Sequence, residues 1–224
     1  MTDIVIRATK APALALSPIT FSQQHFDLYS QQLRVYFNTL DSFTANLSTT
    51  AGGSSISFPH ISALDTTDQY ATADNTPTIV KWNTLDSSLG FTLNPGFYAT
   101  AQFTGYYKID YSLQFANTAN APHDVVVWLR VNNVDVAGSA SKITITSRKS
   151  AGVPSYVLMY STVPFEVEAG DEIALWWATD LAYNPVGPVD GVYMEFAPAQ
   201  TVPYAHPSIP SSIGAITFVS RTQI

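Results

Sequence analysis

The chain has 224 residues, 46% of them hydrophobic and 12% aromatic, which is long enough for one large domain with a sizeable core and an appendage. Seventeen acidic and ten basic side chains give a net charge of −7, which argues against a protein that binds nucleic acid or an anionic membrane. The chain has no cysteine, which excludes a disulfide framework, a thiolate nucleophile and a cysteine-based metal site.

Charged residues are sparse. They make up 12% of the chain, about half the usual share, which predicts surfaces covered by other copies or by a larger assembly. No stretch reaches the roughly eighteen uninterrupted apolar residues of a membrane span. Pro12 and Pro18 interrupt the apolar run that faintly imitates a secretory signal. The sequence therefore predicts no membrane insertion, and assembly in a cytoplasm.

Residues 1–19 are predicted to form an extended arm. Ile4, Val5 and Ile6 form a short β-prone run, and Leu14 and Leu16 lie in the proline-bounded segment that follows. A terminus with apolar residues but no core of its own commonly docks on another body. These five residues are therefore candidates for docking on a larger assembly, and a disordered tail is the alternative.

Residues 20–47 are predicted to form one helix. Thr20, followed three residues later by Gln23, has the pattern of a capping box. Apolar residues then recur at alternating steps of three and four, which places them on one stripe of a helix. This heptad seam consists of Phe26, Tyr29, Leu33, Tyr36, Leu40, Phe43 and Leu47.

The heptad seam is predicted to be the interface of a parallel, three-stranded coiled coil. No β-branched residue stands at position a, where a two-stranded coil favours one, and the bulky residues at d suit a wider core. The e and g positions carry no charge, so they specify no different partner chain. A homotrimer follows, and a helix packed against its own domain is the alternative.

Residues 48–76 are predicted to be a linker and residues 77–224 a β domain. The segment 48–57 is rich in Gly, Ser and Thr. Beyond residue 78 the apolar period changes to two, with turn residues between short runs. The predicted strands are 78–82, 97–103, 106–115, 125–131, 142–146, 156–167, 172–178, 191–196 and 215–220. Strands of this number and spacing predict an antiparallel sandwich or jelly roll.

Two predicted strands are apolar on both faces. Val126 and Trp128 point away from the aliphatic face of 125–131, and Trp176 points away from the face of 172–178 that carries Trp177. The outer faces of a sandwich are normally polar and exposed to solvent. Apolar residues on the outer faces of these two strands therefore predict a subunit contact.

Three segments resemble, in order, strand motifs of the C1q/TNF-like jelly-roll superfamily. They are GYYKIDYS at 105–112, WLRVN at 128–132 and FEVEAGDEIALWW at 165–177, with the turn at Gly170 and Asp171 the most specific. The resemblance covers residues 78–224 and implies a compact trimer. The chain departs from the eukaryotic pattern in a proline-rich crossing, 198–210, before the final strand.

A second resemblance is to virion proteins of tailed bacteriophages, particularly those of marine and cyanobacterial hosts. It rests on SQQHFDLY at 22–29, LRVYFNTLD at 33–41 and PSIPS at 207–211. It implies a trimeric structural protein of the virion that decorates or stabilises the capsid, or forms a head or tail fibre. The implied partners are phage capsid or tail proteins.

The sequence predicts no enzyme, no cofactor and no metal site. The four histidines stand singly, without the spacing of a zinc motif, and no glycine-rich segment matches a phosphate loop. Asp124, Asp180 and Asp190 could bind calcium, but their spacing matches no calcium-binding loop motif. Paired carboxylates among Asp171, Glu172, Asp180 and Asp190 leave glycoside hydrolysis as a third class, although the turn explains Asp171 better.

A binding role is the main alternative to a purely structural one. Trp176, Trp177, Tyr183 and Tyr193 lie on or beside the loop 180–190, and aromatic faces edged by carboxylates suit sugars. They are candidates for a trimer interface or for a ligand site, with a host surface glycan as the partner and a lectin-like adhesin as the function. Tryptophans in the core are the structural alternative.

Overall fold

The computed structural model describes residues 12–14, 20, 22–47, 58–95, 98–187 and 190–221. The chain divides into two compact units, Met1–Ser57 and Phe58–Ile224. Of the predicted docking arm, Ile4, Val5, Ile6 and Leu16 lie outside the described residues, and Leu14 is exposed.

The first unit contains one described helix, α1, which spans Gln23–Leu47. Its N-cap is Ser22 and not Thr20, which corrects the predicted capping box. Ser22 Oγ accepts a hydrogen bond from the His25 amide at 3.3 Å, and the Ser22 carbonyl accepts the first helical bond from Phe26 at 3.1 Å. A serine oxygen that reaches the third helical amide satisfies a donor that the helix itself leaves unpaired.

No helix in the described part of the chain is both long enough and apolar enough to cross a membrane.

The second unit is a sandwich of two antiparallel sheets. The strands of the described residues are β1 (His60–Asp65), β2 (Gln69–Tyr70), β3 (Thr78–Ile79), β4 (Thr84–Leu89), β5 (Phe91–Leu93), β6 (Ala99–Ala101), β7 (Gly105–Asn117), β8 (His123–Val131), β9 (Val134–Asp135), β10 (Ser141–Ile145), β11 (Ser155–Val167), β12 (Glu172–Thr179), β13 (Val192–Met194) and β14 (Ser212–Ser220).

The strand order is that of a jelly roll. Sheet A runs β4–β1–β14–β7–β11, with β13 and β2 extending from the far end of β7. Sheet B runs β10–β8–β12–β6–β5. The long strands cross between the sheets, from β6 in sheet B to β7 in sheet A, to β8 and β10 in sheet B, to β11 in sheet A, to β12 in sheet B and to β14 in sheet A, as in a double-sheet jelly roll. The predicted antiparallel sandwich is confirmed.

The core lies between the two sheets. Along β7 from residue 105 to 115, every second residue is buried while the alternate residues are half-buried, which is the period-two pattern predicted from the sequence. The inward residues of β8 and β12 meet this face from sheet B, and the Phe115 and Trp177 rings lie 5.5 Å apart between their centroids. The largest fully buried side chains are Trp177, Tyr107, Tyr111, Phe115, Ile109, Leu113, Leu129, Ile145, Ile173, Leu175, Met194 and Ile216.

The sandwich begins earlier than the sequence predicts. Strand β1 lies within the predicted linker 48–76, yet it pairs with β14 on one side and β4 on the other. It buries Ile61 and Ala63, and the Asp65 side chain is buried beside them, where it accepts hydrogen bonds from Thr67. A strand with only two inward apolar residues, followed by a buried aspartate, gives a weak periodic signal. The unit starts near residue 58 and not at 77.

The turn between β11 and β12 has the geometry that its sequence requires. Gly170 has φ +98°, a conformation that residues with a side chain rarely adopt. Asp171 closes the turn, since its Oδ2 accepts a bond from the Glu168 amide at 2.8 Å. Its Oδ1 accepts a bond from Asn132 Nδ2 at 2.7 Å, which joins this turn to the end of β8.

Candidate functional site

The first candidate surface is the heptad seam on α1. Phe26 is 62% exposed, and Tyr29, Leu33, Tyr36, Leu40 and Phe43 are half-buried, while the Leu47 side chain lies outside the description. Apolar residues off the seam, Leu28, Val35 and Phe37, are exposed as well. The described helix therefore keeps apolar surface that a partner could cover.

The outer face of sheet B carries a tryptophan pair. Trp128 and Trp176 lie directly opposite each other on β8 and β12, and both are half-buried. The Arg130 guanidinium carbon lies 4.3 Å from the centroid of the Trp176 ring and 5.6 Å from that of Trp128. Asp135 Oδ1 accepts bonds from Arg130 Nε at 2.5 Å and from Trp128 Nε1 at 2.7 Å.

This cluster shows that the chain partly covers the second face of β8 and β12 itself. A guanidinium stacked on indole rings is weakly hydrated and covers apolar surface that a sandwich would otherwise expose. The predicted subunit contact through Val126, Trp128 and Trp176 therefore involves a face that already carries Arg130. Val126 is half-buried on the same strand.

Trp177 requires a correction. Its side chain is fully buried between the sheets, so it is a core residue and is not available to a ligand or a second subunit. Adjacent residues on a strand point to opposite faces, and only Trp176 of this pair reaches the surface.

The outer face of sheet A carries an apolar patch that the sequence did not reveal. Leu158 is 59% exposed and Tyr160 66% exposed on β11, and Ile213 is 42% exposed on β14. Ser112 of β7 pairs with both Tyr160 and Ile213, so these side chains form one row across three strands. Among the described strands β11 pairs with β7 alone, so it is an edge. A long apolar edge of this kind ordinarily needs a cover.

A tyrosine cluster lies at the end of sheet A where β2 and β13 meet. Tyr70 and Tyr193 are register partners across these strands. The ring centroids of Tyr183 and Tyr193 lie 4.9 Å apart, and the Tyr70 centroid lies 5.7 Å from each. Tyr193 is 9% exposed, and the other two are half-buried. The structure thus joins two of the predicted aromatic residues, Tyr183 and Tyr193, to Tyr70, which the sequence placed in a linker.

Carboxylates fix the tyrosine hydroxyls. Tyr70 donates to Asp68 Oδ2 at 3.1 Å, and Tyr193 donates to Glu195 Oε1 at 3.0 Å. Burial, together with the charge of Asp68, raises the pKa of Tyr70 to about 12. Burial and the nearby Glu195 likewise raise the pKa of Tyr193. Both hydroxyls therefore stay protonated at neutral pH and act as donors.

A groove of about 560 Å³ lies beside this cluster. Its two walls are the segments 70–74 and 182–185, and Tyr70 and Tyr183 line it. The walls are tied together, because Asp74 Oδ1 accepts a bond from the Ala182 amide at 2.7 Å. The Asn75 amide also donates to the Thr179 carbonyl at 2.7 Å.

The acidic residues considered for calcium are engaged elsewhere. Asp180 Oδ1 accepts a bond from the Asp124 amide at 3.0 Å and lies 3.1 Å from His123 Nδ1. Asp190 pairs with Arg148 at 2.7 Å. Within the described ranges, no group of three or more His, Cys, Asp or Glu side chains could hold a metal ion.

Comparison with known proteins finds structural similarity but no match by sequence. No family model matches the chain, and no curated protein matches its sequence. Among solved structures, Eiger TNF from S. frugiperda is similar, with a TM-score of 0.46 and 12% identity over 75% of this chain and 96% of that one. The jelly-roll assignment above rests on the strand order of this chain.

Proposed function

We propose that the chain is a non-enzymatic structural protein that assembles as a homotrimer on the virion of a tailed bacteriophage. It would decorate or stabilise the capsid, or form a head or tail fibre. The observation that carries the proposal is the heptad seam, which lies on a helix of 25 residues and keeps its apolar residues partly exposed.

Self-association is the economical way to cover the seam. Its flanking positions carry no charge, so they do not select a different chain. Each buried apolar side chain contributes about 1.5–3 kcal/mol at most, before entropy is subtracted. Seven such positions per helix are enough to hold a trimer when a second domain associates as well.

The outer face of sheet A supports the same assembly. Leu158, Tyr160 and Ile213 present apolar surface beside an edge strand. A second copy that packs there would cover the edge and the patch together. Once α1 holds three copies, contact between the sandwiches becomes an event within one assembly, so a modest patch is sufficient.

The virion assignment rests on the sequence resemblance and on the sparse charge of the chain. Residues 1–19 are the proposed attachment to capsid or tail proteins. Deletion of 1–19 should leave the trimer intact and release it from particles. Loss from capsids would support a decorating role and loss from tails a fibre role, while particles that retain the shortened protein in full would contradict attachment through this arm.

The assembly itself is tested by the mass of the purified chain. Sedimentation equilibrium at micromolar concentration should give three times the mass of one chain. A well-folded single subunit under those conditions would contradict the homotrimer, and most of the virion assignment with it.

A second candidate function is a glycan-binding adhesin. The tyrosine cluster and the adjoining groove favour it, because stacked aromatic rings bordered by polar groups are suited to sugars. The two functions are compatible, since a trimeric fibre head can also carry a receptor site.

A further inference from the structure

We propose that the groove beside Tyr70 and Tyr183 binds a neutral saccharide. This inference deepens the second candidate function and rests on it. The groove is lined by the segments 70–74 and 182–185, which differ from the residues proposed for assembly on α1 and at Leu158, Tyr160 and Ile213. Tyr193 beside it belongs to the same outer face of sheet A, since it pairs with Ala116 of β7.

The floor of the groove offers the apolar half of a sugar site. Tyr70 and Tyr183 are half-buried, and their rings are inclined by 32° to each other. Tyr193, the register partner of Tyr70, packs against both rings. A pyranose ring has an apolar face of C–H groups, and these groups are attracted to the electron-rich face of an aromatic ring.

The walls offer the polar half. Thr72, Asp74 and Asn184 are exposed groove residues that carry hydroxyl, carboxylate and amide groups. Sugar hydroxyls both donate and accept hydrogen bonds, so they can pair with each of these side chains. A site that combines a stacking floor with a few polar groups at its rim fixes both the plane and the orientation of its ligand.

The groove is preorganised. The Asp74 bond to the Ala182 amide holds one wall against the other, and Tyr183 donates its amide to the Val192 carbonyl at 3.1 Å. Gly191 allows this close approach, because a Cβ there would lie 2.6 Å from the Ala182 carbonyl carbon and from the Tyr183 amide nitrogen. A site that is already ordered loses little conformational entropy when a ligand binds.

Charge selects among saccharides. Asp74 lines the groove, Asp68 lies behind Tyr70, and none of the described lining residues is Lys, Arg or His. A sialylated or sulfated glycan would therefore meet a negative rim with no cation to pair with it. The ligand class that fits is a neutral hexose or N-acetylhexosamine oligomer.

The test uses the full chain and an array that carries neutral, sialylated and sulfated oligosaccharides on matched backbones. Neutral glycans should bind, and their sialylated or sulfated forms should not. The best neutral oligosaccharide is then titrated by calorimetry against Tyr183→Ala, Tyr183→Phe and Asn184→Ala. Tyr183→Ala should weaken binding by about tenfold or more. Tyr183→Phe keeps the stacking surface and should keep most of the affinity.

Tyr204→Ala is the matched control, since Tyr204 is a 68% exposed tyrosine in the crossing 198–210, and affinity should not change. The proposal would be overturned if neutral glycans did not bind or if anionic glycans bound more strongly. It would also be overturned if Tyr183→Ala and Asn184→Ala both bound with the affinity of the parent chain. Sedimentation of the same samples separates this result from the assembly. A trimer that ignores sugars contradicts the groove alone, and a sugar-binding monomer contradicts the homotrimer alone.

Discussion

Arg130 lies across the ring of Trp176, with its guanidinium carbon 4.3 Å from the ring centroid. The same guanidinium donates to Asp135, which also accepts the indole N–H of Trp128. The hydrogen bond from Arg130, and to a lesser extent the bond from Trp128, lowers the pKa of Asp135. The outer face of sheet B is thus partly covered by side chains of β8, β9 and β12.

Arg130→Lys is expected to destabilise the sandwich by about 1 kcal/mol, because an ammonium keeps the charge but loses the planar stacking over two indoles. Urea unfolding followed by tryptophan fluorescence measures the difference. Arg34→Lys makes the same chemical change at an exposed position of α1 and serves as the control. Equal midpoints for Arg130→Lys and the parent chain would show that the stacking contributes nothing to stability.

Leu33→Asp and Leu40→Asp are each expected to convert the trimer to smaller species, because a carboxylate in the seam would have to be desolvated in the coil. Sedimentation velocity at several micromolar reports the change. Asn38→Asp adds the same charge at an exposed position off the seam and should leave the mass unchanged. If all three variants remain trimeric, α1 does not carry the assembly.

Leu158→Lys is expected to weaken association by about tenfold or more, since burying a leucine side chain contributes about 1.5–3 kcal/mol. Below the concentration at which the chains associate, the sandwich should keep its unfolding midpoint, because Leu158 is 59% exposed in the single chain. The trimer dissociation constant is obtained from dilution series. Val186→Lys, at a 96% exposed position, is the control. An unchanged constant in Leu158→Lys would remove sheet A from the interface.

Glu195→Gln tests the pH dependence of the tyrosine cluster. Burial raises the pKa of Glu195 above its ordinary 4.5, against the opposing hydrogen bond from Tyr193. The folded state therefore holds this proton more tightly than the unfolded state. Stability from this group is complete below pH 4.5 and is lost as the pH rises through the folded-state pKa.

Glu195→Gln cannot ionise, so it does not lose stability as the pH rises. Its stability relative to the parent chain should therefore grow as the pH rises above 4.5 and then level off. Thermal unfolding at a series of pH values gives the curve. Glu166→Gln reports the effect of removing one exposed negative charge from β11. A constant difference between Glu195→Gln and the parent chain across the series would contradict the shifted proton equilibrium.

The sequence was informative where side chains alternate over long runs. β7, β11 and β12 were predicted within two residues at each end, because their inward residues are large and regularly spaced. β1, β2, β4, β5 and β9 were missed. β1 has only two inward apolar residues, and β4 is exposed along almost its whole length, so neither strand has a strong period-two signal. β2 and β9 have two residues each, which is too short for a pattern.

The sequence predicted two members of the tyrosine cluster but not the third, because the third is brought in by a long-range strand pairing. Tyr183 and Tyr193 are close in sequence, but Tyr70 reaches them through the pairing of β2 with β13. Contacts between residues more than a hundred positions apart leave no mark in local spacing. The apolar patch of sheet A also could not be predicted from local spacing. Tyr160 and Ile213 come together only because both pair with the same residue of β7.

Strand β14 lies between β1 and β7, so that Ala215 faces Ser62 on one side and Asp110 on the other. Of the described strands, β14 is the last in sequence, and it joins the first strand to the middle of sheet A. The backbone groups of β1 and β7 that face β14 are paired only when this strand is in place. Sheet A is therefore closed by a contact between segments about 150 residues apart in sequence, so its folding is expected to be slow relative to that of its local hairpins.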